Sequence, residues 1–240
     1  MFKKAVLAVL LIQGLVACAP VQDVATTPED PYEPFNRQVF AFNEVVDTFV
    51  LRPVAEVYRF VLPEVARTGV SNALSNFYEP VTMVNALLQL DGERAMTSFW
   101  RFMLNTTLGF GGLYDFAGEN TELKYRGEDF GQTIGVWSDN TDSAYLVLPI
   151  LGPSTTRDAF GRVVDVGLNP WTWALESGES IAIAVTKGVS DREKAIDLID
   201  EIYDTSLDPY TTIRSGYLQR RKAQILNTHN PKDQAYPNID

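Results

Sequence analysis

Cysteine and histidine are almost missing from this chain: one of each occurs in 240 residues. A single Cys excludes an intramolecular disulfide. One Cys and one His together exclude a zinc site built from those residues. Basic residues are also scarce, 20 against 31 acidic ones, giving a formal charge of -11. Nucleic acid needs clustered Lys and Arg and is not an expected partner. Beyond the N-terminus no apolar run is long enough to cross a bilayer as a helix. No internal repeat is visible. What is present is ordinary globular composition, 45% hydrophobic and 11% aromatic. That is enough for a core in one or two domains, and too aromatic for a disordered chain.

Catalytic signatures are missing too. The chain has no G-x-S-x-G elbow and no H-E-x-x-H pair. Its lone His229 stands in a polar C-terminal stretch. Gly109-Phe110-Gly111-Gly112 is no dinucleotide fingerprint, because Tyr114 occupies the place of its third glycine. The Asp and Glu residues read as solvated helix faces. Arg220-Arg221-Lys222 is suited to phosphate, but more simply to the negative end of a helix dipole. The expectation is a protein that is not an enzyme and holds neither cofactor nor metal.

The first residues carry processing signals. Lys3 and Lys4 precede an apolar run, Ala5 to Ile12, too short to span a bilayer. Leu15-Val16-Ala17 then stands directly before Cys18, which resembles a bacterial lipobox. Cleavage there would remove residues 1–17, with Lys3 and Lys4, and make the mature chain more acidic by two charges. Acyl chains on Cys18 would then anchor it, each buried CH₂ contributing about 0.8 kcal/mol. Ala19, where an Asp would signal inner-membrane retention, favours the outer membrane.

Residues 18–33 read as an acylated tether, with Pro20, Pro28 and Pro31 opposing regular structure. From there the pattern is helical. Phe35, Val39, Phe42, Val46 and Phe49 recur at spacings of four and three and share a helical face. Pro53 is expected to interrupt this helix, and a second stretch runs to Leu62, before Pro63. Further helices are expected over 64–76 and 79–90, split at Phe77-Tyr78-Glu79-Pro80. Another starts at an Asp91 cap and ends near Leu108. Its Met96, Phe99, Trp100, Phe102, Met103 and Leu104 cover more than half its circumference, as in a helix buried all round or facing lipid. Residues 105–137 are rich in glycine and turns. Tyr145 to Pro149 reads as extended. Helices are expected from Pro153 or Ser154 to Val166, from Trp171, over 191–204 with its acidic residues in water, and over 208–226. Residues 229–240 read as a polar tail. The whole is one predominantly helical, all-α domain over residues 34–228 with little or no sheet.

Several short motifs occur in a fixed order. They are Asp30-Pro31-Tyr32-Glu33-Pro34-Phe35-Asn36-Arg37, Phe40-Ala41-Phe42-Asn43, Arg52-Pro53-Val54, Gly69-Val70-Ser71-Asn72 and Glu79-Pro80 with Met83-Val84-Asn85. Then follow Arg101-Phe102-Met103-Leu104-Asn105-Thr106, Leu108 to Gly112, Asp129-Phe130-Gly131-Gln132-Thr133-Ile134-Gly135, Leu148 to Asp158, Asp208-Pro209-Tyr210 and Tyr217-Leu218-Gln219-Arg220. In this order, behind a lipobox, the chain resembles the MlaA (VacJ) family of outer-membrane lipoproteins of Gram-negative bacteria.

The resemblance implies a ring-like domain of amphipathic helices around a central channel, lying in the periplasmic leaflet of the outer membrane. It implies removal of mislocalised phospholipids from the outer leaflet and their passage to a soluble periplasmic carrier of the MlaC type. An inner-membrane ABC transporter complex would receive them, maintaining lipid asymmetry. It implies a trimeric porin as neighbour. Phe99, Trp100, Phe102, Met103 and Leu104 become candidates for lipid contact. The segment 105–137 matches the region forming the family's channel hairpin, so Gly109, Gly111, Gly112, Phe130 and Gly131 become hinge candidates. Two other readings differ in class: a lipoprotein adaptor that only scaffolds a porin or envelope complex, and a phospholipase, disfavoured by the missing nucleophile.

Overall fold

The computed structural model describes residues 30–226. Cys18, the leader before it and His229 lie outside the described residues. Within the segment expected as tether, Asp30 and Glu33 are packed into the fold. Asp30 is fully buried, accepting from Asn36 Nδ2 at 2.8 Å and from Arg214 at 2.9 Å.

Helix α1 spans Glu33–Val46 and continues through a π turn, Asp47–Leu51, into α2, Arg52–Val61. Pro53 therefore does not interrupt. The wider turn, in which Arg52 N–H donates to the Asp47 carbonyl, gives the proline ring room and absorbs its missing donor. Leu62, extended before Pro63, ends the helix. The two helices expected over 64–90 are likewise one, α3, Glu64–Leu88, with Pro80 inside it. An internal proline costs about 3 kcal/mol. Packing of α3 against its neighbour offsets that cost. The neighbour is α4, Gly92–Thr107, whose Asp91 cap accepts from Arg94 N–H at 2.9 Å as expected.

Residues 105–137 contain no β-strand. They hold a tight turn, the short helix α5, Phe116–Asn120, a linker, and α6, Phe130–Ser138, capped by Asp129. The β-hairpin among the described residues lies further on: β1, Tyr145–Leu148, pairs antiparallel with β2, Gly152–Thr155. Pro153 and Ser154 thus belong to a strand, and α7, Thr156–Leu168, starts behind a Thr155 cap. Helix α8 is Pro170–Ala174 and α9 is Ser177–Lys194, entered through a capping box of Glu176 and Glu179. A break at Ala195 separates α9 from α10, Ile196–Thr205, where one helix over 191–204 is expected. The last helix, α11, is Pro209–Ile225.

Two asparagines of α1 dock the hairpin. Asn36 donates to the Tyr145 carbonyl at 3.1 Å and accepts from Val147 N–H at 2.9 Å. One heptad later, Asn43 donates to the Leu148 carbonyl at 2.9 Å and accepts from Ile150 N–H at 2.7 Å. Each amide serves the edge of β1 as an adjoining strand would. Behind this contact sits a small apolar cluster of Val39, Tyr145, Val147 and Tyr210, with Phe40 meeting Tyr210 edge-on at 5.5 Å. The packing closes a circuit: α1 meets β1, β2 meets α11, α11 packs on α6, α6 on α3, α3 on α9, and α9 on α2, the continuation of α1.

Candidate functional site

The helices face the wrong way for a protein in water. The stripe Phe35, Phe42 and Phe49 of α1 and the π turn points outward, and only Val39 of its expected companions is buried. The buried face of α1 carries Glu33, Asn36 and Val39. Helix α4 repeats the inversion. Arg94, Ser98, Arg101 and Asn105, at spacings of four, three and four, are buried, while Met96, Phe99, Trp100 and Met103 are exposed. Of the lipid-contact candidates, Phe102 and Leu104 are only partly exposed. Phe102 turns toward Trp171, ring centres 6.5 Å apart. The outward apolar surface extends over Val54, Val57, Val61 and Phe60, the last 92% exposed, and over Phe110, Trp137, Ile150 and Phe160.

The interior is a chain of polar contacts. Arg101 Nε donates to Glu79 Oε1 at 2.6 Å, and its other nitrogens reach the Leu123 carbonyl and Asp115 at 2.7 and 3.2 Å. Burial pushes the Glu79 carboxyl up to about 7 against the opposing pull of Arg101. Arg94 pairs with Glu128, which also accepts from Gln89 at 2.9 Å. Burial outweighs Arg94 there too and raises the Glu128 carboxyl. Thr133 donates to Asn85 at 2.9 Å, and Asn85 to Asp165 at 2.8 Å. Asp165 accepts the Phe130 N–H and is pushed up to about 6 by burial.

A second hub joins α6, α7 and α11. Arg221 donates to Asp129 at 2.7 Å and to Asp158 at 2.8 Å, and Tyr217 O–H donates to Asp158 at 2.8 Å. Burial acts most strongly, to raise Asp129, but the charge and hydrogen bonds of Arg221 together with the hydrogen bonds of Gln132 hold the carboxyl below its usual range. Arg221 is therefore a buried ion-pair centre, where the sequence suggested a helix-dipole residue. The acidic face of α9 and α10 is likewise not all in water: Glu193 is buried and takes Arg59 at 2.9 Å.

The hinge candidates divide. Gly111 and Gly112 lie at φ +73° and +94°, left-handed positions that favour glycine. At Gly109 a Cβ would come within 2.2 Å of the Tyr114 carbonyl, so close backbone approach demands the glycine. Gly131 serves packing: a Cβ there would meet Asp158 at 2.5 Å and Arg221 at 2.6 Å. A Cβ on Gly161 would come 2.4 Å from the Gly131 nitrogen, so these two glycines let α6 and α7 touch. Phe130 is fixed by Asp165. Phe130 and Gly131 thus sit in contact with α7 and α11.

Apart from Arg221, the residues of the polar hubs lie outside the candidates that the sequence singles out. The signal that would have found them is a polar residue at every third or fourth position of an otherwise apolar helix, as in Arg94, Ser98, Arg101 and Asn105. Among the described residues no helix is long and apolar enough to cross a membrane, and no cluster suited to a metal occurs.

Known proteins fit this arrangement. The family model described as MlaA lipoprotein matches residues 28–224. A protein of Escherichia coli K12, named intermembrane phospholipid transport system lipoprotein MlaA, is 38% identical over 231 residues, 93% of this chain and 89% of the relative. Its namesake in Haemophilus influenzae is 32% identical over 224 residues, covering 91% and 88%. A chain solved in work on the structural basis for maintenance of bacterial outer membrane lipid asymmetry is 40% identical, with a TM-score of 0.73 over 82% of this chain and 98% of the solved one.

Proposed function

The chain belongs to the MlaA lipoprotein family, and from that premise we propose that it removes mislocalised phospholipids from the outer leaflet of a Gram-negative outer membrane. They pass on to a periplasmic carrier for retrograde transport. In this reading the protein lies in the periplasmic leaflet, anchored through an acylated Cys18. A trimeric porin is its neighbour, a carrier of the MlaC type receives the lipid, and an inner-membrane ABC transporter complex completes the route.

The observation that carries the reading is the inverted polarity. Each large apolar side chain left in water forgoes about 1.5–3 kcal/mol of burial. A surface bearing Phe35, Phe42, Phe49, Phe60, Val57 and Trp100 would forgo as much as the usual net stability of a domain, about 5–15 kcal/mol. A lipid surround removes that loss. With no spanning helix among the described residues, the apolar faces dip into one leaflet, as interfacial amphipathic helices do. The buried Arg, Asp, Glu and Asn residues suit a path for charged head groups that hydrocarbon would exclude. Phe99, Trp100 and Met103 fit lipid contact. The Gly111–Gly112 turn, with exposed Phe110 and Leu113, fits a mobile element at the membrane surface.

A strain lacking the chain tests the function. The reading expects phospholipid to accumulate on the cell surface and to disappear when the gene is restored. Unchanged lipid asymmetry with a displaced porin would favour the scaffolding alternative. Hydrolysis of phospholipid by the purified protein would favour an enzyme.

A further inference from the structure

Where the first turns of α6 and α7 approach the last turns of α11 lies a cleft of about 220 Å³. Its lining includes three arginines, Arg162, Arg220 and Arg221, two carboxylates, Asp129 and Asp158, and Tyr217. The carboxylates are already engaged. Asp129 takes two nitrogens of Arg221 and the Gln132 N–H, and Asp158 takes Arg221 and the Tyr217 hydroxyl. Arg162 is exposed, reaches only the Pro153 carbonyl at 3.4 Å, and has no carboxylate partner among the described residues. Arg220 is exposed at the same opening. At the floor, the buried Nε of Arg221 has no acceptor among the described residues. The cleft therefore carries one net positive charge on a chain of -11. Its surplus hydrogen-bonding capacity is that of donors.

We propose that this cleft is an oxyanion site that holds the phosphodiester of a phospholipid head group. The inference rests on the lipid-handling reading above and adds a place and a chemistry to it. Guanidinium groups match phosphate oxygens in geometry and charge. The partial positive charge at the starts of α6 and α7 acts in the same direction. The cleft is smaller than the roughly 300–1,000 Å³ that encloses a drug-sized ligand, so the head group alone would enter. The acyl chains have a place on the same helix: Val166, one turn after Arg162 and on its face, and Val163 next to Arg162 are exposed. A free phosphate would have no use for that apolar border.

The test titrates the full-length protein in detergent with three probes, followed by calorimetry. One is short-chain phosphatidylglycerol. The second is the matching diacylglycerol, which lacks the phosphate, and the third is inorganic phosphate. Wild type should bind the phosphatidylglycerol. Arg162→Gln with Arg220→Gln should weaken that binding by about tenfold or more, and the double Lys variant should fall between. Arg221 stays intact, because removing it would strand Asp129 and Asp158. Equal phosphatidylglycerol binding by wild type and the double Gln variant overturns the cleft assignment and leaves lipid transport standing. So does diacylglycerol binding as tightly as phosphatidylglycerol. Inorganic phosphate binding as tightly as the lipid overturns the head-group assignment. Failure of wild type to bind any short-chain lipid would count against the transport reading itself, and the site would fall with it.

Discussion

Arg101 Nε stands 2.6 Å from Glu79 Oε1, with both side chains almost completely out of solvent. This pair joins α3 to α4 at the turn where Pro80 has no backbone donor. Removing one partner of a buried pair strands the other and typically costs about 3–5 kcal/mol. Arg101→Ala should therefore destabilise strongly, while Arg101→Met combined with Glu79→Leu should recover much of the loss. Chemical denaturation in detergent measures both. A single variant as stable as wild type would contradict the interior described here.

The same carboxyl sets a pH dependence. Glu79 in the folded chain titrates near 7, raised from the ordinary 4.5, and Asp165 near 6, raised from 3.8. Between the ordinary and raised values the folded state binds more protons than the unfolded one, so stability falls as pH rises. The expectation is a lower denaturation midpoint at pH 7.5 than at pH 5. Glu79→Gln should flatten that slope. A slope unchanged in the variant would remove Glu79 as its source.

Glycines at two helical positions should respond oppositely to alanine. At Gly161 a Cβ would meet the backbone of Gly131 at 2.4 Å, and backbone cannot step aside. Gly161→Ala should therefore destabilise. At Gly188, inside α9, nothing lies within 4 Å, and alanine should stabilise by up to about 1 kcal/mol. Melting temperatures of the two variants check this. Equal shifts would contradict the close contact of α6 with α7.

Processing tests the N-terminal reading. Cys18→Ala should leave an unacylated protein, and inhibition of lipoprotein signal peptidase should leave the wild-type precursor uncleaved. Gel mobility and labelling with a fatty-acid probe report the outcome. Normal processing under the inhibitor would refute the Cys18 assignment.

Much of the chain's local structure was legible because its cues are local. The Asp91 cap and the stop at Pro63 depend on residues a few positions apart. Pro53 and Pro80 misled because what offsets them is not written in residue type: a π turn directly before Pro53 absorbs the first, and packing on α4 carries the second. Helical periodicity revealed that Phe35, Phe42 and Phe49 share a face, but periodicity has no inside or outside. In water that face would be the core. Here Asn36 and Asn43 turn inward to hold β1, a requirement set by residues more than a hundred positions away. The role of Gly131 was hidden for the same reason, since its need for glycine comes from Gly161, Asp158 and Arg221.

The central claim is that the apolar surface of α2 and α4 lies in hydrocarbon while the polar stripes face inward. Nitroxide labels at Phe60→Cys and Phe99→Cys, with a control at exposed Glu201→Cys, test it directly in phospholipid bilayers by power saturation with oxygen and with a water-soluble nickel chelate. The account predicts that the labels at positions 60 and 99 meet oxygen and are shielded from nickel, and that the label at 201 shows the reverse. Labels at 60 and 99 as open to nickel as the one at 201 would contradict it.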